Sequence, residues 1–534
     1  MPCAWAAVLL AGAVPLACGS GDDDGIQGVT DASNDVIDAG ANDVKSEPTP
    51  KPPEKPPFDW VGIVGTGQSL SIGATAGNIS KTQPFKNVTL VDTGANPKYP
   101  IDGAGSPKWA TTPLIEPVRA YSTGSGPGYS DGQYPNDISG ETPHSGMANT
   151  LSATFAARGG VGDYITAHSV VGWSGHCLSD IDKVGGKRAY PASLHEAGIW
   201  KELAGAAGKT FGYGGIILTH GECDAGNANY AAGLFKLWQD YDTDLKAVTG
   251  QSSDVVLFIS QQSTIASGAN GSAVQVWQAG GAHPGQIVCT GPKYAYQYSA
   301  DHLHLPAPGY QRLGEKYAEV FDLVVNQKVA WKPLGPSAVT RAGAVITVKL
   351  DVPNPPLVWD AHLTSPHQTV NTPWAEGRGF EVTAGVTKLA IASTAIVGDS
   401  VILTLAADPG AVNVSVGYAI TQDGSGFQGG TEDGLRGLLR DSDPFVGYDA
   451  EDVEGTLTNG SAVVTSTTAG AFARRTGRDL VSGTGVPKDT IVVAQNTDSQ
   501  ITLSAPWAGA TGKVMLSFHH DQYNYAVHFV ADAK

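Results

Sequence analysis

Five short apolar runs between Trp60 and about residue 330 alternate with stretches of helical apolar spacing. The runs are WVGIVGTG (60–67), YITAHSVVG (164–172), GGIILTH (214–220), VVLFISQ (255–261) and QIVCTG (286–291). The helical stretches lie near 146–158, 192–209, 227–248, 270–280 and 308–327. A strand without a polar face must be covered on both sides, and helices that cross between strands provide that cover while returning the chain to the same sheet end. Residues 59–330 are therefore expected to form one α/β domain with a mainly parallel sheet.

After Trp331 the periodicity changes. AVITVKLDV (344–352), TKLAIAST (387–394) and SVILTLAAD (400–408) alternate in polarity as half-buried antiparallel strands do. A β-sandwich-like domain is expected over 331–456 and 517–534. Residues 457–516, rich in Thr, Ser, Gly and Val, read as a small all-β module inserted into it, because YNYAVHFV (523–530) alternates like a closing strand. The 68 glycines and 33 prolines in 534 residues suit this turn-rich half, and the length exceeds what a single core normally spans.

Fifty-one acidic against 33 basic residues give a formal net charge of −18, which disfavours nucleic acid as a partner. Part of the excess is local. Residues 19–58 carry seven Asp and two Glu against three Lys, or −6, and are acidic and then Pro-rich, as an unfolded tether would be. The preceding AWAAVLLAGAVPLA (4–17), followed by Cys18-Gly19-Ser20, resembles a bacterial lipoprotein signal peptide. That resemblance implies an exported protein, held at the outer membrane or cell surface through lipidated Cys18 or else secreted, whose only membrane contact is the lipid anchor. Downstream there is no run of 18 apolar residues, which excludes a multi-pass membrane protein.

In open α/β sheets chemistry sits beyond the carboxyl ends of the strands. The loop after the first run is Gly65-Thr66-Gly67-Gln68-Ser69-Leu70, a serine in a glycine-rich turn where backbone N–H groups can stabilise negative charge. At the far end of the same region, Asp301-His302-Leu303-His304-Leu305 precedes the last helix. Spacing of three lets one turn present a carboxylate and an imidazole together, so that His304 takes the serine proton and Asp301 orients the ring; His302 is the competing base. His176, His220, His302 and His304 lack tight metal-ligand spacing, and a serine mechanism calls for neither metal nor cofactor.

Gly-Gln-Ser near the start of an α/β domain, a middle Gly-Glu-x-Asp loop and a terminal Asp-x-x-His-Leu before a Gly-Tyr-containing helix resemble the SGNH hydrolases, closest to the sialate O-acetylesterase-like carbohydrate esterases. The resemblance covers roughly 60–327. It implies a three-layer flavodoxin-like fold, with Ser69 as nucleophile, His304 as base and Asp301 as orienting acid. An oxyanion hole would come from the Ser69 N–H, a glycine N–H (Gly172 or Gly175) and a side chain of the loop 219–224. There His220 stands where the family has Gln, with Gln68, Glu222 and Asp224 in support. Cys177 and Cys223 fall in loops at the same expected sheet edge, as a disulfide or as buried thiols. Trp173, Tyr294, Tyr296, Tyr298, Trp359 and Trp374 are each either sugar-stacking or packed aromatics.

The function expected is a serine esterase that removes O-acetyl groups from carbohydrate through an acyl-enzyme. The alternatives are a general carboxylesterase, lipase or thioesterase on the same fold, or a non-catalytic surface glycan-binding protein.

Overall fold

All five apolar runs become strands of one sheet: β1 (Trp60–Gly67), β4 (Thr166–Val170), β5 (Phe211–Thr219), β6 (Val256–Gln261) and β7 (Ile287–Pro292). The computed structural model describes residues 55–92, 109–118, 140–185, 189–448, 451–473, 475 and 478–534. The leader, Cys18 and nearly all of the tether lie outside the described residues. Among the described residues no helix is long and apolar enough to cross a membrane.

Two strands that the sequence pattern did not reveal, β2 (Val88–Asp92) and β3 (Trp109–Pro113), extend the sheet on one side, giving the order β3-β2-β4-β1-β5-β6-β7. Only the edge strand β3 is antiparallel to its neighbour. None of its five residues is buried and two are exposed, so it lacks the apolar run that marks the inner strands.

The helices are α1 (Pro143–Ala157), a short α2 (Leu178–Ile181), α3 (Ala189–Ala206), α4 (Tyr230–Thr249), α5 (Ser272–Ala282) and α6 (Ala307–Phe321). They cover the sheet on both faces, as period-two side-chain alternation requires. Val61 and Ile63 of β1 join Met147, Leu151, Leu313 and Tyr317 of α1 and α6. Val64 joins Trp200, Leu237, Tyr241 and Val276 of α3, α4 and α5 on the other face.

The remaining chain is antiparallel β. One four-stranded sheet runs in the order Ile391–Val397, Ser400–Leu405, β9 (Val345–Asp351), β8 (Gly335–Ala342), and a second in the order Thr387–Lys388, Phe380–Ala384, Val414–Tyr418, Phe529–Ala533. Their inward residues, among them Ile346, Val348, Leu403, Phe380, Val416 and Phe529, share one apolar cluster with the α3–α5 face of the parallel sheet. Six strands between Glu451 and His519 form a third sheet with its own core around Val464, Phe472, Ile501, Trp507 and Phe518. The chain then returns, and Phe529–Ala533 pairs with Val414–Tyr418.

One face of α6 is charged yet buried. Arg312 pairs with Asp521, and the Lys316 ammonium donates to Glu319 Oε2 at 2.8 Å, Gln522 O at 2.8 Å and Asn524 Oδ1 at 2.6 Å. Glu315 accepts from Gln522 Nε2 at 2.9 Å and lies 3.0 Å from His520 Nδ1. Buried charges are tolerated only when paired and hydrogen-bonded, and segment 520–524 supplies those partners.

Candidate active site

Strand register brings the loops of interest to one level. Gly65 of β1 lies opposite Val170 of β4, and Gly67 opposite Thr219 of β5, so the loops after β1, β4 and β5 open side by side where the chain changes direction across the sheet. Gly67 makes the exit from β1 possible. Its φ is +134°, and a Cβ there would fall 2.2 Å from Thr219 O, so only glycine fits. The chain then bends into a single 3-10 turn, Ser69–Ser71, with the Ser69 side chain buried at its start.

Ser69 Oγ lies 2.8 Å from His304 Nε2, and His304 Nδ1 lies 2.6 Å from Asp301 Oδ2. Asp301 Oδ1 also accepts from the Leu303 and His304 amides, at 3.1 and 3.0 Å, which closes the turn that the spacing of three implied. Burial works to raise the Asp301 carboxyl, but the hydrogen bonds from His304 and Leu303 outweigh it and hold the group below its usual range. A carboxylate only accepts, so the shared proton sits on His304 Nδ1, and Nε2 is left free to accept from the serine hydroxyl. His302, at φ +54°, turns away: its Nδ1 is 3.2 Å from Gly429 O in the β-rich part. The geometry selects His304 over His302.

Three further loops are fastened around this turn. Gln68 Nε2 donates to Glu222 Oε2 at 3.0 Å, and Gln68 Oε1 accepts from Cys223 N at 3.2 Å. Lys293, fully buried just past β7, places its ammonium 2.9 Å from Glu222 Oε1, a close ion contact lying outside hydrogen-bond angles. Asp224 Oδ2 accepts from Leu178 N at 2.7 Å, and Cys177 and Cys223 form a disulfide with Cα atoms 5.0 Å apart. Gln68, Glu222 and Asp224 thus form one lattice behind Ser69. Lys293 was not singled out from the sequence, where a lysine after a strand has no distinguishing mark.

His220 does something other than expected. It is fully buried, its Nε2 donates to His176 O at 3.1 Å, and its Nδ1 faces the Tyr230 hydroxyl at 2.8 Å. Burial pulls its pKa down against the opposing influence of Asp224, so the ring is neutral and its single N–H is already used. It has no donor left for an oxyanion; it ties the loop after β5 to the loop after β4.

Of the two glycine candidates, Gly172 packs against the serine turn, where a Cβ would fall 1.9 Å from Ser71 Oγ. Gly175, at φ +72°, has nothing within 4 Å of its Cβ position. The Val171 and Trp173 amides continue the ladder to Gly65 O and Gly67 O, both at 2.8 Å. Trp173 stacks on His176 with ring centroids 3.4 Å apart. Tyr294, Tyr296 and Trp374 are buried core residues, Tyr298 packs under Gly429 and Gly430, and Trp359 lies beneath Arg378. Among the described residues no group of three or more His, Cys, Asp or Glu is arranged to hold a metal ion.

No known protein family matches the chain by sequence, and no curated protein does. Among solved structures, it is similar to a protein from Arabidopsis thaliana at 16% identity over 50% of this chain and 98% of that one, with a TM-score of 0.33. A carbohydrate acetylesterase from Xanthomonas citri aligns at 12% identity over 71% of this chain and 77% of that one, with a TM-score of 0.42. NanS aligns at 10% identity over 50% of this chain and 98% of that one, with a TM-score of 0.30. All three scores fall below 0.5, too loose a likeness to decide what this chain does.

Proposed function

We propose that this chain is a serine esterase of the SGNH type that removes O-acetyl groups from carbohydrate. The observation that carries the reading is the continuous Ser69–His304–Asp301 hydrogen-bond chain, assembled from residues 235 positions apart in sequence. Ser69 Oγ attacks the acetyl carbonyl carbon while its proton passes to His304 Nε2. The tetrahedral intermediate collapses as the bond to the sugar oxygen breaks, and that oxygen takes the proton back from His304. Water, deprotonated by the same nitrogen, then releases acetate from Ser69. The Ser69 and Gly172 amides are the proposed oxyanion donors.

A small acyl group on a large polar substrate suits this site. Among the described residues the Asp301 side chain is 40% exposed and the His304 side chain 13% exposed, so this pair opens onto the surface, which suits such a substrate better than a long acyl chain that needs an apolar tunnel. The test is acetate release from acetylated xylan, acetylated sialic acid and p-nitrophenyl acetate by the full chain and its Ser69→Ala variant. A loss of at least about a thousandfold in kcat is expected on substitution. No release by the wild type, or equal release by both, refutes the reading; hydrolysis of long-chain esters but not sugar acetates replaces it with a lipase.

A further inference from the structure

The turn that carries Asp301 and His304 is clasped by a segment from the other half of the molecule. Gly429 N donates to His302 O at 2.9 Å, and His302 Nδ1 lies 3.2 Å from Gly429 O, so the two residues are joined in both directions. Next to this, Gln428 N donates to Thr264 O at 3.0 Å, and Ala266 N donates to Gln422 Oε1 at 2.7 Å, which pins the same segment to the loop after β6. The fit is tight: a Cβ on Gly429 would fall 2.5 Å from the Tyr298 ring and 2.6 Å from His302 O. At its other end the segment is held by Arg436, which donates to Gly430 O at 2.5 Å. The β-rich part therefore supplies a fixed wall beside the base.

Within that wall one side chain stands out. Phe427 directly precedes the pinned residues and is 44% exposed. Two residues of extended chain span at most about 7 Å, so the ring's backbone anchor cannot stray far from the Gly429–His302 junction. A phenyl group exposed on a backbone whose neighbours are held by hydrogen bonds is an apolar surface fixed in advance. Three of the six aromatics that the sequence offered as sugar platforms, Tyr294, Tyr296 and Trp374, are buried in the core instead.

We propose that Phe427 is a specificity-determining residue: the stacking platform for a sugar ring of the acetylated polysaccharide, held by segment 422–436 beside the turn that carries Asp301 and His304. The inference rests on the esterase reading above. A sugar presents apolar C–H groups on its ring faces, and an exposed, preorganised aromatic takes up that face with little ordering cost. p-Nitrophenyl acetate carries the same acetyl group without a sugar, so it reports the acyl chemistry apart from the platform.

The experiment compares kcat/KM for an acetylated xylo-oligosaccharide with that for p-nitrophenyl acetate in the full-length wild type, Phe427→Ala and Phe427→Trp. The ratio of the two is expected to fall about 2- to 12-fold in Phe427→Ala, the range of one aromatic contact, and to recover in Phe427→Trp. An unchanged ratio in Phe427→Ala, or a ratio lost equally in Phe427→Trp, overturns the inference while leaving the esterase intact. A wild type that hydrolyses neither substrate overturns the esterase reading, and the inference falls with it.

Discussion

Replacing Asp301 separates two things the carboxylate does for His304. In Asp301→Asn the side-chain oxygen can still accept from the Leu303 and His304 amides, now at 3.1 and 3.0 Å, so the turn should keep its shape. The amide NH2 then faces His304 Nδ1 in place of Oδ2, now 2.6 Å away. Nδ1 must accept, the ring proton moves to Nε2, and the base points a donor at Ser69 where an acceptor is required. The expected loss in kcat is about 10³- to 10⁴-fold, the size of a wrong-tautomer defect. Asp301→Ala removes the charge but leaves both tautomers open. Two charges about 4 Å apart interact by about 4 kcal/mol at an effective dielectric of 20 and about 1 kcal/mol in bulk water. Because the side chain is 40% exposed, water screens it and the loss belongs inside that range, between about fivefold and about a thousandfold. Initial rates on p-nitrophenyl acetate give kcat and KM, with circular dichroism to confirm folding; KM should change little, since Asp301 sits behind the ring. Retention of more than a tenth of kcat in Asp301→Asn, or a slower Asp301→Ala, would refute the orienting role.

Two stability predictions follow from buried ionisable groups. Lys293→Met leaves Glu222 buried with only Gln68 beside it and should cost about 3–5 kcal/mol, read as a lower denaturation midpoint, while adding Glu222→Gln should restore most of it; a double variant no better than the single one contradicts the pairing. Glu116 is pushed up to about 8, first by burial and then by the neighbouring Glu141 charge. A carboxyl raised in the folded chain stabilises fully below its unfolded value near 4.5 and loses that contribution as pH rises toward 8, so Tm should fall across this window and fall less in Glu116→Gln; parallel Tm curves for the two proteins would contradict it.

The parts of this architecture that show in the sequence are those written locally. A strand covered on both faces must be apolar throughout, so β1, β4, β5, β6 and β7 stand out, whereas β2 and the half-exposed edge strand β3 do not. Asp301 and His304 share one turn, so spacing alone suggested that they meet, and the glycine-rich turn marked Ser69. Roles that depend on a partner far along the chain were hidden. His220 occupies a family position for an oxyanion donor, but its ring nitrogens are claimed by His176 and Tyr230, which only the packed loops reveal. Lys293 and the Gly429 clasp were invisible for the same reason: nothing local distinguishes a lysine that will be buried against Glu222, or a glycine that will lie on Tyr298.

The charged face of α6 bears on how such a chain can diversify. The helix begins three residues after His304, at Ala307, and Arg312, Glu315 and Lys316 find partners in residues 520–524, some 200 positions further along the chain. A recombination event that exchanged the β-rich half for another would leave Arg312, Glu315 and Lys316 without these partners in a desolvated seam. Cutting the chain after α6 would do the same. The two halves are therefore coupled through buried charge, and exchanging either one alone removes the partners of the other.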